Sequence, residues 1–517
     1  MRVLLVKPNN LSDHIQPSLG LAYLAQGIRS RHEVKILDCI KDGLSPTDFA
    51  AKVLKEYRPD LIGIQCYTFD VGNVRKLLKV IKDWDSNIIT VVGGSHVSSD
   101  PIRGFENLRD DLDFAFAGEA EIGFPMFVDI LSSKVDSPDY SNVPGLIWKN
   151  GEEFVANPQK MEDDLDQLGD PAWDLIRPEL YPEAQHGAFF NNFPIAPIIT
   201  TRGCPYSCTF CAAPILSGKK LRHHSKEYVL RNISLLYHTY GIREIHIVDD
   251  NFTQDIEYAK MIVRGIIGLN LDISIAMPNG IRMDYLDDEL LALLKEAGLY
   301  LVSIAVESGN NEILKDMKKG TKIHKVHRDV NLIKKHGFDI AAFFILGYPG
   351  ETMETINDTI ALSLKLPLLR ANYFTYLPLP GTESYHKLEE TGEIKNIDWD
   401  NFYMMGAPYT PKGISREDLL EIKRKAFLKF YMRPRILIRN ILGVKSFGHF
   451  KFLFKRFCNW IIVNNHVALE IKQVDIATEN HAASEIIKGK EEKNESRATL
   501  TDLNVKVSGS NGHATKP

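Results

Sequence analysis

The chain has 517 residues, of which 44% are hydrophobic, 25% charged and 9% aromatic, a globular composition. That is too long for one core, and roughly 100–200 residues per domain predicts about three units. The formal net charge of −5 is small for this size, so no overall field favours nucleic acid as a partner.

Taken in chain order, the first 140 residues read as alternating strands and helices of a doubly wound, Rossmann-like parallel sheet. Apolar strands are predicted at 2–6, 33–37, 61–65, 88–92 and 114–117, with an amphipathic helix at 19–29. Gly93-Gly94 and Gly118-Glu119 follow two of these strands, where ligands sit in such sheets. Residues 141–190, rich in proline and acidic side chains, read as a connector with a small hairpin around 145–155. A second alternation over 191–400 has strand-like runs at 198–200, 244–248, 273–276, 301–305, 341–346 and 373–376. Helical patterns such as 287–295 and 326–336 lie between them. Six such repeats predict a partial (β/α)6, TIM-like barrel, with functional groups at the carboxyl ends of its strands. Residues 401–470 read as a basic helical extension, and 471–517 as a tail too polar to bury a core.

Six cysteines are present: Cys39, Cys66, Cys204, Cys208, Cys211 and Cys458. Their number and spacing exclude a small secreted disulfide scaffold. The chain opens directly on a strand without a cleavable signal, and no apolar run reaches bilayer length. The expected compartment is therefore a reducing cytoplasm.

Three of the cysteines fall in Thr201-Arg202-Gly203-Cys204-Pro205-Tyr206-Ser207-Cys208-Thr209-Phe210-Cys211, after the first barrel strand. Thiolates select zinc or iron–sulfur centres. A structural zinc ion wants four ligands, whereas a cubane on three cysteines leaves one iron open for a further ligand. A zinc site borrowing His223 and three merely buried cysteines are the alternatives. Neither accounts for Arg202, Gly203 and Pro205 at a barrel mouth.

With Phe210 before the third cysteine, this motif resembles the signature of the radical S-adenosylmethionine superfamily. The resemblance implies a [4Fe–4S] cluster on Cys204, Cys208 and Cys211 whose open iron chelates the methionine moiety of S-adenosylmethionine. One-electron reduction of the sulfonium then yields a 5′-deoxyadenosyl radical. Further motifs resemble the family's over roughly 197–400. His246-Ile247-Val248-Asp249-Asp250-Asn251-Phe252 stands where many members hold the methionine amino group, which implies that role for Asp250 or Asn251. Glu307 and Ser308, in Glu307-Ser308-Gly309, resemble contacts to ribose and carboxylate. Gly347, in Leu346-Gly347-Tyr348-Pro349-Gly350-Glu351, and Pro380, in Leu377-Pro378-Leu379-Pro380-Gly381-Thr382, resemble loops that border the adenine. Taken singly, Glu351 reads as the cap of a helix starting near Thr352, and Asp249 as a solvated strand end.

Pro17-Ser18-Leu19-Gly20, Gly93-Gly94-Ser95-His96 and Gly118-Glu119 resemble the cobalamin-binding domain that precedes the barrel in one large subfamily. The resemblance implies that Gly93, Gly94 and Gly118 admit the corrin and its nucleotide tail, with His96 and Glu119 beside them. No Asp-x-His-x-x-Gly follows the first strand, and His14 has the wrong surroundings, so cobalamin without a protein nitrogen ligand is implied. A related sheet that has lost its cofactor is the alternative, and His96 reads equally as a satisfied histidine at a strand end.

Together the two cofactors imply a radical enzyme that modifies an unactivated carbon, foremost by methyl transfer, with a second S-adenosylmethionine remethylating the cobalamin. A radical oxidase or cyclase on the same cofactors, and a non-catalytic metal-stabilised binding protein, are the alternatives. A one-electron reductant such as flavodoxin or ferredoxin is implied. The substrate is expected to be a small molecule or lipid-linked. Residues 423–469 carry lysines, arginines and aromatics without an acidic residue. That pattern fits either peripheral membrane contact or a helical cap whose aromatic face packs on the barrel.

Overall fold

The computed structural model describes residues 1–442, apart from 10–14, 185–189, 396, 401, 404 and 405. His14, Cys458, the tail at 471–517 and the basic stretch from 443 onward lie outside the described residues.

Runs of β-branched and leucine residues buried on both faces form the parallel strands. In β1 (Arg2–Lys7) every residue from Val3 to Lys7 is buried. It pairs in parallel with β2 (Glu33–Asp38) and β3 (Leu61–Gln65), and the sheet continues through β4 (Ile89–Gly93) and β5 (Phe114–Phe116). The order β2-β1-β3-β4-β5 reverses direction between β1 and β3, the switch point at which such sheets bind ligands. The helix Leu19–Ile28 starts where the Ser18 hydroxyl accepts from the Leu21 amide, a side-chain cap for an orphan donor. The hairpin expected around 145–155 forms as β6 (Leu146–Asn150) and β7 (Glu153–Ala156). It adds antiparallel to β5 and thus extends the N-terminal sheet to seven strands.

The rest of the connector straps the two halves together. Ala172 N–H donates to the Ala22 carbonyl, and the Trp173 indole donates to Asn232 Oδ1 at 2.8 Å. Tyr181 donates to Asp38 Oδ2 at 2.9 Å. The sheet and the barrel fall within one compact unit, residues 1–445.

Barrel strands β8 (Ile195–Ile198), β11 (Glu244–Ile247) and β12 (Ser274–Ala276) form one parallel group. Strands β13 (Leu301–Glu307), β14 (Asp339–Leu346) and β15 (Arg370–Thr375) form the second. Single bridges Ile275–Leu299 and Ile281–Ile304 carry the curvature between the groups, giving the partial six-stranded barrel. A two-residue ribbon, β9 (Thr201–Arg202) against β10 (Arg222–His223), stands at its mouth. The helices between the strands begin at side-chain caps on Ser225, Asp255, Asp287 and Thr352.

Of the basic stretch, the helix Arg416–Tyr431 is a cap on the barrel. Phe430 is fully buried, and Tyr431 donates to the Ala371 carbonyl of β15. Lys423 is also buried, and that burial lowers its ammonium to about 8. The next helix, Pro434–Leu442, buries Ile436 and leaves Ile438 and Leu442 56% and 78% exposed.

Candidate active site between the sheet and the barrel

The cysteine loop is held from below by a buried carboxylate. Asp249, just past β11, accepts from the amides of Thr200 and Thr201 at 2.7 and 3.0 Å and from their hydroxyls at 2.5 and 2.9 Å. It is only 3% exposed, so it is no solvated strand end. Burial pushes its carboxyl up to about 6 even against those four donors.

The middle of the loop is tied by Thr209. Its amide donates to the Met317 carbonyl at 3.0 Å, and its hydroxyl meets Tyr348 Oη at 2.7 Å. Its carbonyl accepts from the Ser384 amide and hydroxyl at 2.9 and 2.8 Å. Arg282 caps the outer face, with its guanidinium 3.6 Å from the centre of the Tyr206 ring and paired with Asp284 at 2.6 Å.

Cys204, Cys208 and Cys211 are unpaired and half-buried, and burial raises the first and last thiols, Cys211 to about 12. Among the described residues no three His, Cys, Asp or Glu side chains converge as ligands of a single ion. His223 does not join the cysteines: its Nε2 faces Asp255 at 3.5 Å and its ring packs on Tyr258. Three soft donors on one rigid loop, with Arg282 and Lys319 nearby to offset anionic charge, suit an iron–sulfur cluster.

The barrel motifs divide. Glu307 ends β13 at a bulge with φ +67, an unusual conformation for a non-glycine residue. Its carboxylate pairs with buried Lys319 at 2.8 Å. Burial depresses the Lys319 ammonium, but Glu307, with the Cys208 sulfur also near, leaves it raised overall. Phe210 lies under that ammonium, 6.0 Å from Nζ. Ser308 is fully buried against Thr359 Oγ1 and accepts from the Asn310 amide.

Gly347 sits at φ +80, where a Cβ would come within 2.7 Å of the Leu419 side chain. Its amide and that of Tyr348 donate to Glu351 Oε2 at 2.7 and 3.0 Å. Thr352, not Glu351, caps the following helix. Burial raises the Glu351 carboxyl to about 7 and leaves its Oε1 without a partner. Pro380 is buried in a turn that the Thr382 hydroxyl closes on the Leu379 carbonyl. Gly347 and Pro380 thus belong to the scaffold that holds the cysteine loop through Tyr348 and Ser384.

Above the N-terminal sheet lies a cavity of about 630 Å³. Gln65, Gly93, Gly94, Gly118 and Glu119 line it from the strand ends, and Arg202, Asp250 and Asn279 from the barrel. Gly94 requires its missing side chain: φ is +117, and a Cβ would lie 2.7 Å from the Cys66 carbonyl oxygen. Asp250 is open to this cavity yet surrounded by protein, so burial raises its carboxyl, partly offset by Ser217 and Arg202. Asn251 is buried, donates to Gln254 Oε1, and leaves its own Oδ1 unpartnered.

His96 is not on the cavity wall. It is 1% exposed, touches Asn107 at 3.3 Å and packs edge-on against Trp399. Burial holds its imidazole down to about 3, and His96 is therefore a neutral core histidine. The cavity's volume, its apolar lining by Leu5, Val91 and Phe116, and its glycine-lined strand ends fit a planar macrocycle. No histidine lines it among the described residues.

Sequence comparisons match this division. Residues 198–363 match the model of the radical SAM superfamily, and residues 11–128 that of the B12 binding domain. Over 463 residues the chain is 31% identical to an uncharacterised methyltransferase of Pyrococcus horikoshii, covering 88% of this chain and 97% of that protein. The chain belongs to the radical S-adenosylmethionine superfamily. Within it, the chain is 29% identical to cytidylyl-2-hydroxyethylphosphonate methyltransferase of Streptomyces wedmorensis, over 82% of this chain and 89% of that one. The fold is shared with the radical S-adenosylmethionine methyltransferase TsrM of Kitasatospora setae, solved with cobalamin and a [4Fe–4S] cluster (TM-score 0.61, 21% identity, 77% and 76% of the two chains). This radical SAM enzyme takes a [4Fe–4S] cluster, S-adenosylmethionine and cobalamin as cofactors, acts on a small molecule and needs an electron source.

Several residues of the site carry no signal in the sequence alone. Arg282 and Lys319 acquire their roles only through partners supplied by other loops, and Thr209 and Glu121, though they lie within or beside the motifs, show their partners only in the fold.

Proposed function

We propose that the enzyme transfers a methyl group to an unactivated carbon of a small organic substrate bound in the cavity between the sheet and the barrel. The observation that carries this reading is one cavity lined from both sides, by Gly93, Gly94 and Gly118 of the corrin-type sheet and by Arg202 and Asp250 beside the cysteine loop. When bound, the cluster and S-adenosylmethionine supply the carbon radical, and cobalamin supplies the methyl group.

Cys204, Cys208 and Cys211 are the cluster ligands in this reading. Asp250, the carboxylate open to the cavity, receives the amino end of S-adenosylmethionine, with the Asn251 Oδ1 as a neighbouring acceptor. The Glu307–Lys319 pair sets the charge over the Phe210 ring and orients the loop side of the pocket. The remaining barrel motifs keep the cysteine loop rigid, so that the reacting groups meet in one geometry.

The test is anaerobic purification with iron, sulfide and cobalt quantified, followed by incubation with S-adenosylmethionine and reductant. About four irons and one corrinoid per chain, with 5′-deoxyadenosine and S-adenosylhomocysteine formed, are expected. Iron without corrinoid would remove methyl transfer through cobalt.

Among the described residues no helix is long and apolar enough to cross a membrane. Free Cys39 and Cys66 are in keeping with a reducing cytoplasm. For the basic extension, the packing of the helix Arg416–Tyr431 favours the barrel-cap reading. Among the described residues, the exposed face of Pro434–Leu442 is the candidate for lipid contact.

A further inference from the structure

The ribbon that launches the cysteine loop contains an electrostatic problem. Arg202 of β9 and Arg222 of β10 are direct register partners, and like charges opposite one another on two strands repel. Both are almost enclosed, with side chains 10% and 2% exposed, so water cannot screen them.

The charge that resolves this comes from the other domain. Glu119, in the loop after β5, takes Arg222 in a two-pronged pair at 2.8 and 2.5 Å and lies 3.5 Å from Arg202. Glu121 takes the other end of Arg202 at 2.8 Å. Two guanidinium groups thus meet two carboxylates, each about one-tenth exposed. Tyr23 of the N-terminal domain lies against Arg202, with its ring centre 5.2 Å away. Arg202 stands two residues before Cys204, and Tyr23, Glu119, Glu121 and Arg202 lie on the wall of the cavity.

We infer that Arg202, Arg222, Glu119 and Glu121 form an interdomain clasp that positions the start of the cluster loop against the corrin-binding sheet and sets the charge beside the cluster. The four are positioning residues: they act through the backbone of Gly203 and Cys204, and through the field at the cluster. The N-terminal domain is therefore part of the cluster site, because its two carboxylates are the ones paired directly with the guanidinium groups of the β9–β10 ribbon. Buried ion pairs of this kind add little net stability, because desolvation offsets their attraction, yet removing one partner strands the other. The inference rests on the cluster being held by Cys204, Cys208 and Cys211.

The test is a charge-balance cycle on the full-length holoprotein: wild type, Glu119→Gln, and Glu119→Gln with Arg222→Gln. The readouts are the midpoint potential of the cluster, the electron paramagnetic resonance spectrum of its reduced form with S-adenosylmethionine, and iron per chain. An uncompensated cation stabilises the reduced, more negative cluster. Glu119→Gln is expected to shift the potential in the positive direction, and the double variant to return it towards wild type. If Glu119→Gln does not fold, Glu121→Gln, which removes one carboxylate paired with Arg202, is expected to shift the potential in the same direction. A cluster potential and spectrum unchanged in the single variants, with only thermal stability reduced, would overturn the clasp while leaving the cluster assignment intact. A wild-type holoprotein without iron would overturn the cluster assignment, and the clasp with it.

Discussion

The loops after the strands of the N-terminal sheet and those after the barrel strands both carry glycines, yet these serve different surfaces. Gly93, Gly94 and Gly118 open onto the cavity. Gly347 turns inward, its amide donating to Glu351 and its α-carbon against Leu419. In the sheet, the absent side chain of Gly94 lets the turn after β4 close on the Cys66 backbone while the turn still lines the cavity. In the barrel, the turn at Gly347 packs on the Leu419 side chain and leads to Tyr348, which with Ser384 reaches Thr209 in the cysteine loop. A glycine at a strand end thus says that something comes close, and only the fold decides whether it is a cofactor or another loop.

The largest expected effect separates the chemistry from the scaffold. Cys208→Ala should abolish 5′-deoxyadenosine formation and lower iron per chain, while corrinoid binding to the sheet persists. Retained cleavage of S-adenosylmethionine would break the assignment of the cluster. The converse is Gly94→Ala. At φ +117, with the Cys66 oxygen 2.7 Å from the new methyl, the strain is ~1–3 kcal/mol, and the β4 turn must shift. Cobalt per chain should fall roughly tenfold, the equivalent of about 1.4 kcal/mol in binding, with iron unchanged. Equal loss of both metals would show that the two sets of loops are not separable.

Much of this was legible beforehand because it is local. Runs of apolar residues marked the parallel strands to within a few residues, and the cysteine spacing marked the loop. What escaped was non-local. In sequence Asp249 reads as a solvated strand end and Glu351 as a helix cap, because nothing in their neighbours states that Thr200, Thr201, Gly347 and Tyr348 will turn their donors towards them. The two readings of His96 could not be separated for the same reason, since Trp399, which packs against it in the core, is distant in sequence. The partnership of Arg202 with Glu119 and Glu121 spans the domain boundary and has no sequence periodicity at all.

A smaller effect is expected at Thr209, where the scaffold meets the chemistry. Thr209→Val keeps the shape of the side chain but leaves Tyr348 Oη without this partner. A buried hydrogen-bonding group left unmade costs ~1–3 kcal/mol. Iron loading should decline and the cluster should become more sensitive to air, with corrinoid content unaffected. Loading equal to wild type would mean that the backbone contacts of Thr209 alone hold the loop.

The finest distinction is one of pH. Burial raises Glu351 to about 7 in the folded chain, from an ordinary value of 4.5. Between those two values the folded state holds a proton that the unfolded state has released, so stability must fall as pH rises through that window and then level off. Asp249, raised to about 6 from 3.8, acts in the same direction over a lower range. Glu351→Gln keeps an oxygen to accept from the Gly347 and Tyr348 amides but cannot ionise. Its melting temperature should therefore decline less than that of the wild type between pH 5 and 7 (values bracketing the upper part of that window). Parallel declines would mean that Glu351 stays ionised when folded, with its second oxygen solvated. In that case this barrel loop would open to a ligand as the sheet loops do, and the contrast between the two halves would lose its sharpest element.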